Sequence, residues 1–466
     1  MHTFRHRIEL DHPVETVFAW HGRPGAFQRL APAWAKVRLL AATGGIERGG
    51  RVTLELRKGP ARLRWELAHT HFEENRLFVD EQVAGPFAGW RHEHQFEALA
   101  PNRCALTDVV TWQAPLGTLG SRLGEGFMQR SLRRLFLFRE ARLRGDLELH
   151  RRLAQARGAD APPLNVAITG ATGLIGTELA NLLTAGGHTV RRISRGRAGD
   201  IRWDPAAQEI EAAKLEGLDA VVHLAGEPIG NGRWTARKKL AVHRSRKAGT
   251  LLLARTLAGL AARPAVFVSG SAVGYYGDRG DELLPETAAP GAGFLADVCL
   301  AWERATDPAQ AAGIRTVRLR TGMVLSAAGG ALPAMRLPFQ FGAGGRLGSG
   351  RQYMPWIDID DELGLCLHAI ASASVHGAMN AAAPEPLQNG EFSTVLGRVL
   401  RRPALLPVPD LAIRILLGEM GEALLLQGQR AIPAKALATG YAFLRPDLQE
   451  SLRTQLGRFT DRAAAG

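Results

Sequence analysis

Cysteine is scarce in this chain of 466 residues. Cys104, Cys299 and Cys366 are odd in number and far apart, which excludes a disulfide framework and any cysteine-based zinc motif. Long apolar runs are missing too, since no stretch approaches the roughly 20 residues that a bilayer-spanning helix needs. The opening residues Met1-His-Thr-Phe-Arg5 lack the charged-then-apolar order of a secretory signal, so a soluble cytoplasmic protein is expected. Lysine is rare as well, at seven of the 58 basic residues, so arginine carries most of the net charge of +13. That excess is diffuse, and nucleic acid is not an expected partner. With 46% hydrophobic residues there is ample core material, and the length suggests two or three domains.

Glycine is plentiful, and one group of it is placed for chemistry. Asn165–Thr169 is a short apolar run with β-branched residues, the pattern of a buried parallel strand, and residues 177–184 read as an amphipathic helix. Between them lies Gly170-Ala-Thr-Gly-Leu-Ile-Gly176. A strand, a Gly-x-x-Gly-x-x-Gly turn and a helix make a dinucleotide cradle. Gly170 takes the tight turn, Gly173 lets the backbone approach a pyrophosphate, and Gly176 allows close helix–strand packing. The phosphates then meet the N–H groups of the helix start, so Gly170, Ala171, Thr172, Gly173, Leu174, Ile175 and Gly176 are expected to bind the cofactor.

The second strand, Thr189–Ser194, falls where the adenosine ribose should sit, and folds that prefer NAD usually carry an acid there. None is present. Arg191, Arg192, Ser194, Arg195 and Arg197 cluster instead, and a guanidinium suits a 2′-phosphate. NADP is expected, with NAD the alternative and Ser194 and Arg195 as contacts; simple solvation of some of these arginines is the other reading.

About 160 residues precede the cradle. Residues 4–10 alternate apolar and polar, and Asp11-His-Pro13 is expected to cap a short helix through Trp20. Strand-like runs follow at 62–67, where Leu63, Trp65 and Leu67 share a face, and at 77–83, 90–96 and 104–112. Residues 117–156 have helical periodicity, with Phe127, Leu132, Leu135, Phe136, Leu143 and Leu147 among the apolar positions. This order gives an α+β helix-grip arrangement and resembles the polyketide cyclase/START-like superfamily over roughly residues 1–153. The resemblance implies an apolar ligand, a lipid or quinone, between sheet and helix; a closed core is the equal alternative. Two His-x-His pairs, His69/His71 and His92/His94, each place both rings on one sheet face by parity. The strand at 77–83 should separate them by two strand spacings, roughly 9.5 Å, so no metal site is expected.

In the second half, residues 218–226 and 265–271 are further buried strands ending in small-residue turns. Ligands of parallel α/β sheets bind beyond the carboxyl ends of the strands, which brings His223, Leu224, Ala225, Gly226 and Ser269 towards the same nucleotide. The ordered motifs Thr169-Gly-Ala-Thr-Gly-Leu-Ile-Gly176, His223-Leu-Ala-Gly-Glu-Pro-Ile229, Arg233-Trp-Thr235, Ser245-Arg246, Ser269-Gly-Ser-Ala-Val-Gly-Tyr-Tyr-Gly277, Phe294, Trp302-Glu303, Leu347-Gly-Ser-Gly350 and Trp356-Ile-Asp-Ile-Asp-Asp361 closely resemble the epimerase family proteins. These form a subgroup of the extended short-chain dehydrogenase/reductases related to NAD-dependent epimerase/dehydratases. The resemblance spans about residues 164–460, including a tail like that family's C-terminal domain of unknown function. It implies a doubly wound parallel Rossmann sheet binding NADP(H), a small lobe over the crevice, and a small-molecule substrate whose identity the motifs leave open.

The wider superfamily uses a Ser and a Tyr-x-x-x-Lys pair, the lysine making the tyrosine a usable acid or base. Here Phe294 stands at the tyrosine position and no lysine follows. Ser271 matches the residue that polarises a carbonyl, and Tyr275 and Tyr276 are the nearest phenols, either catalytic or packed beside the nicotinamide. A non-catalytic NADP(H)-dependent sensor is the alternative function. Residues 342–353 read as a mobile glycine-rich loop whose Arg346 and Arg351 could meet an anionic substrate or solvent; Asp358, Asp360 and Asp361 read as a helix N-cap. The expected domains are a helix-grip domain at 1–156, a linker at 157–163, the Rossmann domain at 164–405 and a small domain at 406–466, whose apolar helical stretch 411–426 should pack on the substrate lobe.

Overall fold

The computed structural model describes residues 1–114, 117–158, 160–196 and 199–460. Arg197 of the expected arginine cluster, residue 159 of the expected linker and residues 461–466 lie outside the described residues. The chain divides into two compact units, the first built on Met1–Arg151 and the second on Arg152–Ala180 and His188–Arg453.

The first unit is a seven-stranded antiparallel sheet and a long helix. Its strands are β1 (His2–Leu10), β2 (Val37–Thr43), β3 (Arg51–Lys58), β4 (Ala61–Glu73), β5 (Leu77–Ala84), β6 (Gly89–Ala100) and β7 (Arg103–Gln113), with α1 (Val14–Gly22) and α2 (Ala26–Leu30) after the first and α3 (Gly117–Arg157) after the last. The order β1-β7-β6-β5-β4-β3-β2 is a meander whose first strand returns to pair with the last. Ile8, Leu10, Val17, Phe18, Trp20, Phe96, Leu106, Leu143 and Leu147 share one buried cluster, so α1 and the apolar stripe of α3 cover one sheet face. Pro13, not Asp11, occupies the N-cap of α1, and no side chain caps that helix. Proline's fixed φ and missing N–H suit the start of a helix without a capping bond.

Strand β5 does lie between β4 and β6. The parity of the first histidine pair fails, however, because a bulge in the β4–β5 register falls between His69 and His71. His69 is buried while His71 faces outward.

The second unit is a doubly wound α/β sheet. Its strands run β11-β10-β9-β8-β12-β13 and continue through Arg315–Thr321 and Gly377–Ala381, where β8 is Asn165–Thr169, β9 Thr189–Ser194, β10 Ile201–Asp204, β11 Glu209–Ile210, β12 Ala220–His223 and β13 Val266–Ala272. All pairings are parallel except β10 with the two-residue edge strand β11. The helices α4 (Leu174–Ala185), α5 (Ala236–Ala258) and α6 (Phe294–Arg304) follow β8, β12 and β13. Ala167, Ile193, Val221, Leu253, Leu257 and Phe267 form a core between sheet and helices, the near-continuous apolar strands of a sheet covered on both faces.

Two expectations for the second half change. Segment 342–353 is pinned, with Asn389 Oδ1 accepting from the Leu347 amide at 2.7 Å and the Gly348 amide donating to Val408 O at 2.8 Å. In the tail, helix Asp410–Leu417 buries only Ile413, and Leu411, Ile415 and Leu416 are 68%, 62% and 67% exposed, since a single face of this short helix meets protein. Among the described residues no helix is long and apolar enough to cross a membrane.

Candidate functional site

The carboxyl ends of β8, β9, β12 and β13 meet in register: Thr169 pairs with Ile193 on one side and His223 on the other, and His223 with Ser269. Residues following these positions therefore open on one edge of the sheet. Gly170 has φ +69° there, a conformation that favours glycine, and an added Cβ would stand 2.8 Å from Leu224 C. At Gly176 a Cβ would lie 2.3 Å from Gly170 O, so the turn closes only because that side chain is missing. Gly173 differs: its Cβ would meet nothing nearer than Gly170 O at 3.3 Å, and Thr172 and Gly173 are exposed. The tip of the turn is thus bare backbone leading into α4, whose first amides lack intrahelical partners as at any helix start. Such a cradle fits a pyrophosphate.

One hydroxyl holds the turn in place. Thr169 Oγ1 accepts from the Leu224 and Ala225 amides at 3.1 and 3.2 Å, which directs its proton to His223 Nδ1 at 2.7 Å. His223 Nε2 then donates to Thr250 Oγ1 on α5 at 2.9 Å. Burial drives the His223 pKa down to about 3, so the ring is neutral and acts as a pin between β8, β12 and α5. Of the expected contact His223, only the backbone is left to face a ligand. Ser269 is also buried, its hydroxyl donating to Gly270 O at 3.2 Å.

At the end of β9, Ser194 Oγ donates to Gly196 O at 3.0 Å, which shapes the bend after the strand. Arg195 is exposed and forms no hydrogen bond or ion pair with the described residues. Arg191 turns elsewhere, donating to Lys214 O at 3.3 Å.

Beyond β13 a buried polar network replaces the expected pair. Ser271 Oγ donates to Glu303 Oε1 at 2.7 Å, and Arg320 binds both oxygens of Glu303 at 2.7 and 2.9 Å. The same guanidinium donates to the Tyr276 hydroxyl at 2.9 Å, which in turn donates to Asn380 Oδ1 at 2.7 Å. Burial raises the Tyr276 pKa further, which Arg320 only partly offsets. Ser271 and Tyr276 have therefore committed their protons within the protein. Tyr275 lies with its ring 3.5 Å beneath the Arg320 guanidinium, and its hydroxyl bonds to none of the described residues.

Residues 166–382 match the model of the NAD-dependent epimerase/dehydratase family, residues 408–455 that of a domain of unknown function, and residues 1–144 that of polyketide cyclase/dehydrase and lipid transport proteins. An epimerase family protein of Mycobacterium bovis is 43% identical over 290 residues, 62% of this chain and 96% of the relative. The chain belongs to the NAD-dependent epimerase/dehydratase family. A solved nucleoside-diphosphate sugar epimerase from Corynebacterium glutamicum superposes with a TM-score of 0.81 at 32% identity, covering 97% of this chain and 90% of that one. The human epimerase family protein SDR39U1, solved with NADPH, gives 0.58 at 36% identity over 62% of this chain and 98% of that one.

Within this epimerase family chain, Phe294 opens α6 at the place where the superfamily's tyrosine is expected, edge-on to Trp234 at 5.0 Å and with the Lys239 ammonium 4.9 Å from its ring. That ammonium is paired with Glu419 at 2.7 Å. Sequence reasoning missed Arg320, Glu303 and Asn380 as partners of the serine and tyrosine, and Arg246, which donates to Glu227 O at 2.9 Å beside Gly226. The signal for Arg320 was an arginine inside an otherwise buried strand, a position where a charge needs a partner. Asp358 does cap a helix, accepting from the Asp360 amide at 2.8 Å, while Asp361 accepts from the Leu444 and Arg445 amides at 2.7 and 2.8 Å and from the Tyr441 hydroxyl at 3.0 Å.

Proposed function

We propose that this chain binds NADP(H) on the Gly170–Gly176 turn and catalyses reversible oxidoreduction or epimerisation at a hydroxyl-bearing carbon of a small substrate. The observation that carries the reading is Arg195, an exposed guanidinium just past β9 with no partner among the described residues, while the neighbouring acid Asp200 is engaged by the Arg192 amide at 2.7 Å. It supplies a charge-assisted contact for a 2′-phosphate, with Ser194 beside it in the chain. The NADPH held by the human relative and the name of the Corynebacterium relative support cofactor and reaction class alike. A nucleoside-diphosphate sugar is the first substrate class to test.

The nicotinamide, when bound, supplies a hydride donor or acceptor. The chain's own part is to orient and to move a proton. Backbone at 170–176 and 224–226 would hold the cofactor, and Tyr275, whose hydroxyl bonds to none of the described residues, gives or takes the substrate's proton. Glu303 and Arg320 hold Ser271 and Tyr276 as a rigid wall behind it. An apolar molecule in the domain at 1–156 is proposed as a second ligand, supported by the match to lipid transport proteins.

The test is direct. Purified full-length protein is titrated with NADPH and NADH by calorimetry, then bound NADPH is followed at its absorbance band against a panel of carbonyl compounds and nucleotide sugars. Tighter NADPH binding and oxidation by one of them are expected. Preference for NADH would overturn the cofactor assignment, and inertness across the panel the catalytic one.

A further inference from the structure

The first unit contains a polar cluster that the dinucleotide chemistry does not use. Strand β5, which separates the two histidine pairs, contributes Asp80, and the register sets it directly between His69 on β4 and His92 on β6. His94, two residues on, faces Asp108 on β7. His69, His92, His94 and Asp108 are all less than 9% exposed.

The distances within this cluster are of two kinds. Asp108 Oδ1 accepts a hydrogen bond from His92 Nε2 at 3.0 Å and stands 2.8 Å from His94 Nδ1, too far out of line there to form one. On the opposite edge of the two rings, Asp80 Oδ1 lies 3.6 Å from His92 Nδ1 and 3.5 Å from His94 Nε2. These are too long for hydrogen bonds and too short for indifference. Ligand atoms about 2.1 Å from a shared tetrahedral ion stand about 3.4 Å apart, close to the spacing of Asp80 from each ring. One donor atom from each of Asp80, His92 and His94 lies within 4.8 Å of the other two. The rings are also held in place: the His92 and His94 centroids are 3.9 Å apart, and Phe78 stacks on His94 at 4.0 Å.

The geometry points to a divalent transition-metal site in which Asp80, His92 and His94 are the protein ligands and Asp108 orients the His92 imidazole from behind. Two imidazoles and one carboxylate form a donor set for zinc, iron(II) or manganese(II), and three protein ligands leave coordination positions open. A carboxylate on the far nitrogen of a metal-bound histidine is the usual outer-shell arrangement. Charge is compatible: Asp80 and Asp108 put two carboxylates into a buried site where Arg139 acts on both but neutralises only one charge, which leaves the site attractive to a cation. Parity and strand spacing alone pointed away from a metal because they considered only the histidines, and the separating strand brings the missing carboxylate.

The experiment uses untagged full-length protein stripped with a chelator and titrated with cobalt(II). One equivalent should bind with visible absorption bands that zinc displaces. His92→Ala and His94→Ala should each abolish the bands, Asp108→Asn should weaken binding about 10- to 100-fold, and His71→Ala, on the outward side of the bulge, should change nothing. No bands in the parent protein, or bands that survive both histidine substitutions, would overturn the assignment. Should those variants fail to fold, copper(II)-loaded parent protein read by electron spin-echo must show two coordinated imidazoles; one or none is equally fatal.

Discussion

Arg320 grips Glu303 through two parallel hydrogen bonds of 2.7 and 2.9 Å, and both side chains are almost fully buried beneath the carboxyl ends of the sheet. A buried bidentate pair is tolerable while both partners are present and costly when one is removed. Glu303→Ala should lower unfolding stability by about 3–5 kcal/mol in urea titrations, and the Glu303→Ala/Arg320→Ala double variant by clearly less than the sum. Additive losses would mean that the two side chains are not coupled.

The two adjacent tyrosines should part company. Tyr276→Phe removes a hydroxyl that joins Arg320 to Asn380 and should cost about 1–3 kcal/mol of stability. Tyr275→Phe should leave the melting temperature within a degree or two and reduce turnover of a found substrate about 100-fold or more. Unchanged turnover in Tyr275→Phe would remove it from the mechanism.

Arg195→Ala should weaken NADPH about 10- to 100-fold and leave NADH affinity as it was, because only the 2′-phosphate distinguishes the two. Calorimetry with both nucleotides decides this, and equal losses would place Arg195 away from the ribose.

The glycines of the cradle should fail differently. Gly176→Ala forces a Cβ against Gly170 O at 2.3 Å and should destabilise the fold by about 1–3 kcal/mol as well as abolish binding. Gly173→Ala meets Gly170 O at 3.3 Å, a tight contact but a far milder one, so it should cost much less stability than Gly176→Ala yet bind nucleotide more weakly. A Gly173→Ala variant with full affinity would show that the phosphates do not approach that atom.

Glu362 sets a pH dependence. It is buried, Thr321 donates to its Oε1 at 2.8 Å, its Oε2 has no partner among the described residues, and burial raises its pKa from 4.5 to about 8. The folded state therefore holds a proton that the unfolded chain releases near 4.5. Its contribution to stability is complete below that value and is lost as pH rises towards about 8. Thermal melts from pH 5 to pH 9 should show this decline, and Glu362→Gln should flatten it; a slope that survives the substitution belongs to another group.

The cradle was legible because its glycines are constrained by backbone geometry, which sequence writes plainly: β8 and β9 begin and end where the apolar pattern does. Alternation made five of the seven strands of the first sheet legible, β1 and β4 to β7, and left β2 and β3 unread. Side-chain commitments could not be read. Ser271 and Tyr276 looked available until Glu303, Arg320 and Asn380, distant in sequence, were brought to them by the parallel strands. His71 was misplaced because one bulged residue reverses every later side chain, and periodicity has no term for a bulge. His223 lay in the right place but with its ring turned inward, a matter of packing rather than spacing.

Asp361 draws two backbone amides and a phenol from residues 441–445, and Asp358 receives the Ser451 hydroxyl at 2.6 Å. The tail, which matches a domain of unknown function, is thus a plug in the wall of the nucleotide-binding half. A chain cut after residue 440 would leave carboxylates facing an empty seam, so the two segments should be expressed and engineered as one piece.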